Sequence, residues 1–124
     1  MTAEPYRRGD KPMQYLLLIY TAEAEDVFSP EVHEAYMSFT RGIVESGHMQ
    51  GGNALQPTTT ATTVKVRDGK TLVTDGPFAE TREQLGGYYL IEAANLDEAT
   101  AIAARIPGAA IGCIEVRPIQ DTGG

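Results

Sequence analysis

The chain has 124 residues, 42% of them hydrophobic, and a formal net charge of −7 from 10 basic and 17 acidic side chains. That length suits one domain with a sizeable core, and the apolar content argues against disorder. The acidic balance opposes non-specific attachment to nucleic acid or anionic lipid, so neither nucleic acid nor membrane is an expected partner.

In chain order, residues 1–12 are polar and lack the hydrophobic centre of a secretory signal. They read as a flexible leader, with Met13 as an alternative start and residues 13–120 as a single domain. Met13 to Tyr20 reads as a strand, and its run from Tyr15 is the longest apolar one, far short of a membrane span. The spacing predicts a helix over Pro30 to Ser46, with Ser29 as N-cap, Pro30 in the first position and Gly47 as the left-handed stop. Val32, Ala35, Tyr36, Phe39 and Ile43 form its expected buried stripe. A loop containing Gly51-Gly52 and Pro57 leads to two short strands, Thr62–Arg67 and Thr71–Thr74, joined at Asp68-Gly69, a strong hairpin signal. Gly87 to Ala93 is the next strand. Asn95 and Glu98 have capping-box spacing and open a second helix that should bury Leu96, Ala99, Ile102, Ala103 and Ile106 before Pro107-Gly108 stops it. Ile111 to Ile119 is the last strand.

Strand, helix, hairpin, strand, helix, strand suits a ferredoxin-like α+β sandwich, with both helices on one face of a mainly antiparallel sheet. Two strands, however, are apolar on both faces. Leu16 and Leu18 oppose Tyr15, Leu17 and Ile19, and Tyr88 and Leu90 oppose Tyr89 and Ile91. Two helices cover one face only, and monomers rarely expose a large apolar patch. A second copy packed sheet against sheet is the simplest cover.

The most informative stretch is Leu72 to Glu92, where a strand ends in Asp75-Gly76-Pro77-Phe78, continues through Ala79-Glu80-Thr81, and reaches Gly86-Gly87 before the next strand. In this order of elements the tetrapeptide resembles the DGPF branch of the YCII-related proteins, and the resemblance runs from about Met13 to Ile119. It implies a ferredoxin-like chain that pairs as a homodimer into a dimeric α/β barrel. The wider YCII family implies a His–Asp pair, with the His on the first helix, where this chain has His33. The family's Asp precedes a Pro after the second helix. This chain reads Arg105-Ile106-Pro107 there, so Asp75 takes that role only if its loop reaches the same cleft.

Asp75 ends a strand before a stiff Gly-Pro turn, and either hydrogen-bonds the turn backbone or serves as a ligand-binding or proton-transferring carboxylate. His33 lies one position off the buried stripe and is either a boundary residue or an acid/base group. These two are the candidate catalytic residues. Gly76, Pro77, Phe78, Thr81 and Tyr88 are the candidate ligand-binding set. Phe78 is a core anchor for its loop or a pocket wall, and Tyr88 is chiefly a sheet and interface residue. His48 reads as a loop or surface residue after the helix stop. Two histidines without ligand spacing give no metal signature, and neither Gly pair forms a phosphate loop, so no metal or cofactor is expected. The lone Cys113 reads as a partly buried, inert thiol that forms no internal disulfide, which suits a reducing cytoplasm.

Two functions fit. One is small-molecule binding in a cleft near the Asp75–Phe78 segment, with cofactor-free acid/base chemistry as in the lactone isomerases and dehalogenating lyases of related dimeric α/β-barrel families. The other is a non-catalytic regulatory or ligand-sensing module, which the resemblance links with an extracytoplasmic-function sigma factor.

Overall fold

A computed structural model describes residues 12–23 and 29–121, so the leader proposed for residues 1–12 lies, Pro12 aside, outside the described residues. Strand β1 (Met13–Thr21) is followed by helix α1 (Pro30–Glu45), then strand β2 (Met49–Ala54) and a hairpin of β3 (Thr62–Arg67) and β4 (Lys70–Asp75). Strand β5 (Gln84–Ala93), helix α2 (Leu96–Ala103) and strand β6 (Cys113–Pro118) complete the order. The protein is a mixed α+β fold. Its main sheet runs β2-β5-β1-β6 with every neighbour antiparallel, which matches a ferredoxin-like arrangement.

The second strand of that arrangement is β2, not the hairpin. Its sequence, Met-Gln-Gly-Gly-Asn-Ala, has little strand preference, and it reads as a loop for that reason. It forms because β5 offers an unpaired edge. A side chain at Gly52 would come within 2.7 Å of the Tyr88 carbonyl oxygen, so glycine permits the close approach. The β3–β4 hairpin is an insertion between β2 and β5 and forms its own two-stranded sheet. Its turn is the one the sequence signals, with Asp68 and Gly69 both at positive φ (52° and 74°).

Local signals place the helix ends. The Ser29 side chain accepts from the Val32 amide at 3.2 Å, and Gly47 takes φ 84° just past the end of α1. Asn95 accepts from the Glu98 amide at 2.9 Å and starts α2. Both helices join one core with one face of the sheet: Phe39, Ile43, Ala99, Ile102, Ala103 and Ile106 pack with Tyr15, Leu17, Ile19, Tyr89, Ile91 and Ala93.

Three packing expectations need correction. Ala35 is exposed and Val32 only half-buried, because the N-terminal half of α1 borders an open cavity instead of resting on the sheet. Leu96 is 52% exposed, and Glu98 is the buried side chain of that first turn, for a reason given below. Cys113 is exposed, since it lies on the face of the sheet away from the helices, which no described helix covers. That open face carries Leu16 opposite Leu90 and Leu18 opposite Tyr88, all half-buried, bordered by Glu115 and Arg117 on β6. No helix among the described residues is long and apolar enough to cross a membrane.

Candidate functional site

A cavity of about 380 Å³ lies between the N-terminal half of α1 and the sheet. Its walls are mostly apolar: Ile19, Val32, Met37, Met49, Ala54 and Ile111. Such a size and lining are typical of sites for small organic molecules. Among the described residues that line it there is no Asp, Glu, Lys or Arg.

Its polar groups form two sets. In the first, Thr40 Oγ1 donates to the Tyr36 carbonyl at 2.8 Å, which commits its single proton. The Tyr89 hydroxyl, 2.7 Å from Thr40 Oγ1, is therefore the donor in that pair. Tyr89 is held in place by an edge-to-face contact with Phe39, the ring centroids 5.1 Å apart. In the second set, the Tyr36 hydroxyl sits against Gly108, where an added side chain would come within 2.7 Å of it. Burial pushes the Tyr36 phenol above its ordinary value; a backbone hydrogen bond from Gly108 works the other way, and Tyr89 adds to the rise. At neutral pH Tyr36 is thus a neutral donor whose proton is directed to no protein acceptor among the described hydrogen bonds. His33 is exposed and lines the same cavity.

The residues singled out in the sequence are divided between places. His33 and Tyr88 border this cavity, although by register the Tyr88 ring is on the open sheet face, where Asn53 Nδ2 donates to its hydroxyl at 3.1 Å. Gly76, Pro77 and Thr81 line a second, more polar cleft with Thr58, Thr59, Ala79, Glu80 and Gln84. Asp75 and Phe78 line neither. Asp75 is exposed at the end of β4 opposite Thr62, and Phe78 is 86% exposed. Within one chain, His33 and Asp75 therefore do not share a cavity. The position where the resemblance places an Asp is Ile106, which is buried in the core beside the cavity-lining Pro107.

The Asp75–Phe78 turn is firmly built. Gly76 takes φ 102°, its amide donates to the Ala61 carbonyl at 2.7 Å, and its carbonyl accepts from Thr63 Oγ1 at 2.8 Å. Beyond it, Gln84 Oε1 accepts from the Glu23 amide, and the Glu23 carboxylate accepts from the amide and hydroxyl of Thr58, each at 2.8 Å. These bonds tie the segment to the end of β1 and to the 3₁₀ turn at Thr58–Thr60.

One cluster was not legible in the sequence. His48 is half-buried, its Nε2 3.1 Å from Glu98 Oε1 and its Nδ1 2.6 Å from Ser46 Oγ. The Glu98 carboxylate also accepts from the Ala94 amide at 3.0 Å. The signal was the Asn95–Glu98 capping box, which announces that this carboxylate turns back toward the chain before the helix. It could not announce the imidazole, supplied by a residue 50 positions earlier. Among the described residues no group of three or more His, Cys, Asp or Glu is placed to hold a metal ion.

Comparison with known proteins agrees with the architecture. The sequence model of the YCII-related domain matches residues 13–122. The chain is also similar to an uncharacterized protein of Rhizobium meliloti (strain 1021), with 42% identity over 114 residues that cover 86% of this chain and 92% of that protein. The match spans both helices, every strand and the cavity between them, and the chain belongs to the YCII-related domain family.

Proposed function

We propose that the protein binds a small, uncharged and largely apolar molecule carrying a carbonyl or hydroxyl oxygen, in the cavity between α1 and the sheet. The observation that carries this reading is the combination of apolar walls with the unspent Tyr36 donor. Among the described lining residues an anionic ligand would find no Lys or Arg, and a cationic one no carboxylate. Tyr36 donates to the ligand oxygen, and His33 at the rim accepts or supplies a proton where chemistry follows. Binding is favoured over turnover, because no carboxylate partner for His33 is among the described residues that line the cavity. Without turnover the site makes a ligand-sensing module, for which an extracytoplasmic-function sigma factor is the partner we favour. The Asp75–Thr81 segment supports assignment to the DGPF branch of the family, and the free, exposed Cys113 suits a cytoplasmic setting.

We further infer that the working form is a homodimer with the open sheet faces packed together, the dimeric α/β barrel. The half-buried Leu16, Leu18, Leu90 and Tyr88 on a face without helices support it. Asp75 and Phe78 then act at a site only if the pairing brings them to the other copy's cavity.

A matched pair of probes tests the binding reading: 1-indanone and indane, which differ by one carbonyl oxygen. The wild-type protein should bind the ketone about tenfold more tightly than the hydrocarbon, equivalent to roughly 1.4 kcal/mol. Tyr36→Phe should abolish that preference and leave indane binding unchanged. Equal affinity of the wild-type protein for both probes would overturn the assignment of Tyr36.

A further inference from the structure

Away from the cavity, Ser46, His48 and Glu98 form a chain of side chains that runs from solvent into the core. Ser46 is exposed, whereas the side chains of His48 and Glu98 are 13% and 7% exposed. None of the three lines either cleft. Gly47, at φ 84°, ends α1 and turns the backbone toward β2, which sets Ser46 beside His48 at the helix end. The capping box of α2 brings Glu98 up to the imidazole from the other side.

Hydrogen-bond capacity fixes the direction of this chain. Glu98 Oε1 accepts from the Ala94 amide at 3.0 Å and lies 3.1 Å from His48 Nε2; a carboxylate has no proton to give, so Nε2 carries one. In the neutral imidazole Nδ1 is then an acceptor, and the Ser46 hydroxyl, 2.6 Å away, is its donor. The Ile43 carbonyl is the longer alternative at 3.2 Å, and takes the hydroxyl proton when the imidazole is charged and Nδ1 itself donates. A hydroxyl bonded to a base that a third group orients is the arrangement of an activated nucleophile. The imidazolium formed when His48 takes the proton is favoured by Glu98 and by the partial negative charge at the end of α1, whose last turn has no basic residue. The same helix end restricts the chemistry. The amides of Ser46, Gly47 and His48 donate to the carbonyls of Gly42, Val44 and Ile43, so none of them is left to hold an oxyanion. That favours an acyl donor with a good leaving group over an ordinary ester or amide.

We propose that Ser46 is an acyl-acceptor site: its Oγ, with His48 as base and Glu98 as the residue that positions the base, takes a small acyl group from an activated ester or thioester. Oγ forms a bond to the acyl carbon, and the bond from that carbon to the leaving oxygen or sulfur breaks with its electron pair. The Ser46 proton passes through His48 Nδ1 to the leaving group. The product is an O-acyl serine at the end of α1. The acyl group is small because Ser46 borders neither cleft that could house a long one.

The test uses p-nitrophenyl acetate on the full chain, with Ser38, an exposed serine of the same helix, as an internal reference. Arg41 lies between the two serines, so trypsin places them on separate peptides for mass mapping. In the folded wild-type protein Ser46 should be acetylated at least about tenfold faster than Ser38. After unfolding in urea the two rates should be alike. Ser46→Ala should abolish the modification of its peptide and keep the circular dichroism of the wild type. His48→Gln should bring the ratio of the two rates to about one. Glu98→Gln keeps an acceptor for the Nε2 proton but removes the charge, and should lower the ratio in a chain that remains folded. Equal acetylation of Ser46 and Ser38 in the folded wild type would overturn the proposal, a result that needs no variant. A fast Ser46 in folded His48→Gln would also overturn it, because the base would then have no part. A ratio unchanged in Glu98→Gln would overturn the role given to that carboxylate.

Discussion

Burying a carboxylate as deeply as Glu98, which is 6% exposed, is costly unless its oxygens are partnered. Here Oε1 accepts from both His48 and the Ala94 amide, and that requirement turns the first turn of α2 so that Leu96 faces solvent. Glu98→Ala removes the oxygen that both donors share and should lower stability by about 2–3 kcal/mol in urea unfolding. Glu98→Gln keeps a carbonyl oxygen for both donors and should cost about 1 kcal/mol or less. Equal losses in the two variants would show that charge, not hydrogen-bond acceptance, is what the core requires. Tyr36 gives a second residue-scale prediction. A phenol raised by burial favours the folded state at pH below its ordinary value of 10.0, and this contribution is lost as pH rises through the folded value. Ultraviolet titration should therefore show a late-ionising component that is missing in Tyr36→Phe. The stability of that variant should fall less steeply above pH 10.0 than that of the wild-type protein. A high-pH end of the titration that Tyr36→Phe leaves unchanged would contradict the buried donor.

At the scale of elements, the informative one is β2, a strand whose residues do not ask to be a strand. Two adjacent glycines in it allow a matched test. A side chain at Gly52 meets the Tyr88 carbonyl oxygen at 2.7 Å, whereas one at Gly51 meets nothing within 4 Å. Gly52→Ala should destabilise by about 2 kcal/mol or more through forced movement of the β2–β5 pairing. Gly51→Ala should be neutral or slightly stabilising, because it reduces the freedom of the unfolded chain. Similar thermal midpoints for the two variants would mean that β2 shifts freely on β5. The elements that were legible share one property, that their signals are local. Ser29 and Gly47 bound α1, Asp68-Gly69 turns the hairpin, and Asn95 opens α2, each acting on its own backbone within a few residues.

At the scale of the whole molecule, the fold leaves one side of its main sheet without helices and sends an amphipathic ribbon out from between β2 and β5. Light scattering at micromolar concentration should give about twice the 13.4 kDa chain mass. The mass should return to that of one chain in Leu18→Asp, which places an unpaired charge on the open face. A wild-type monomer would refute the face-to-face pairing.

Periodicity and punctuation in the sequence determined both helices, the strands β1, β3, β4, β5 and β6, and the two-sided apolar character of β1 and β5. These follow from spacing along one chain, because a helix or strand sorts its side chains by period. Tertiary structure decided what depends on partners far apart in sequence. It made a strand of Met49–Ala54 by giving it the edge of β5. It joined His48 to Glu98, and set the hydroxyls of Tyr36, Thr40 and Tyr89 about an apolar cavity with His33, while Asp75 went to the end of a separate hairpin. Residue type and spacing identify groups capable of chemistry; only the packing of distant elements decides which of them share a space.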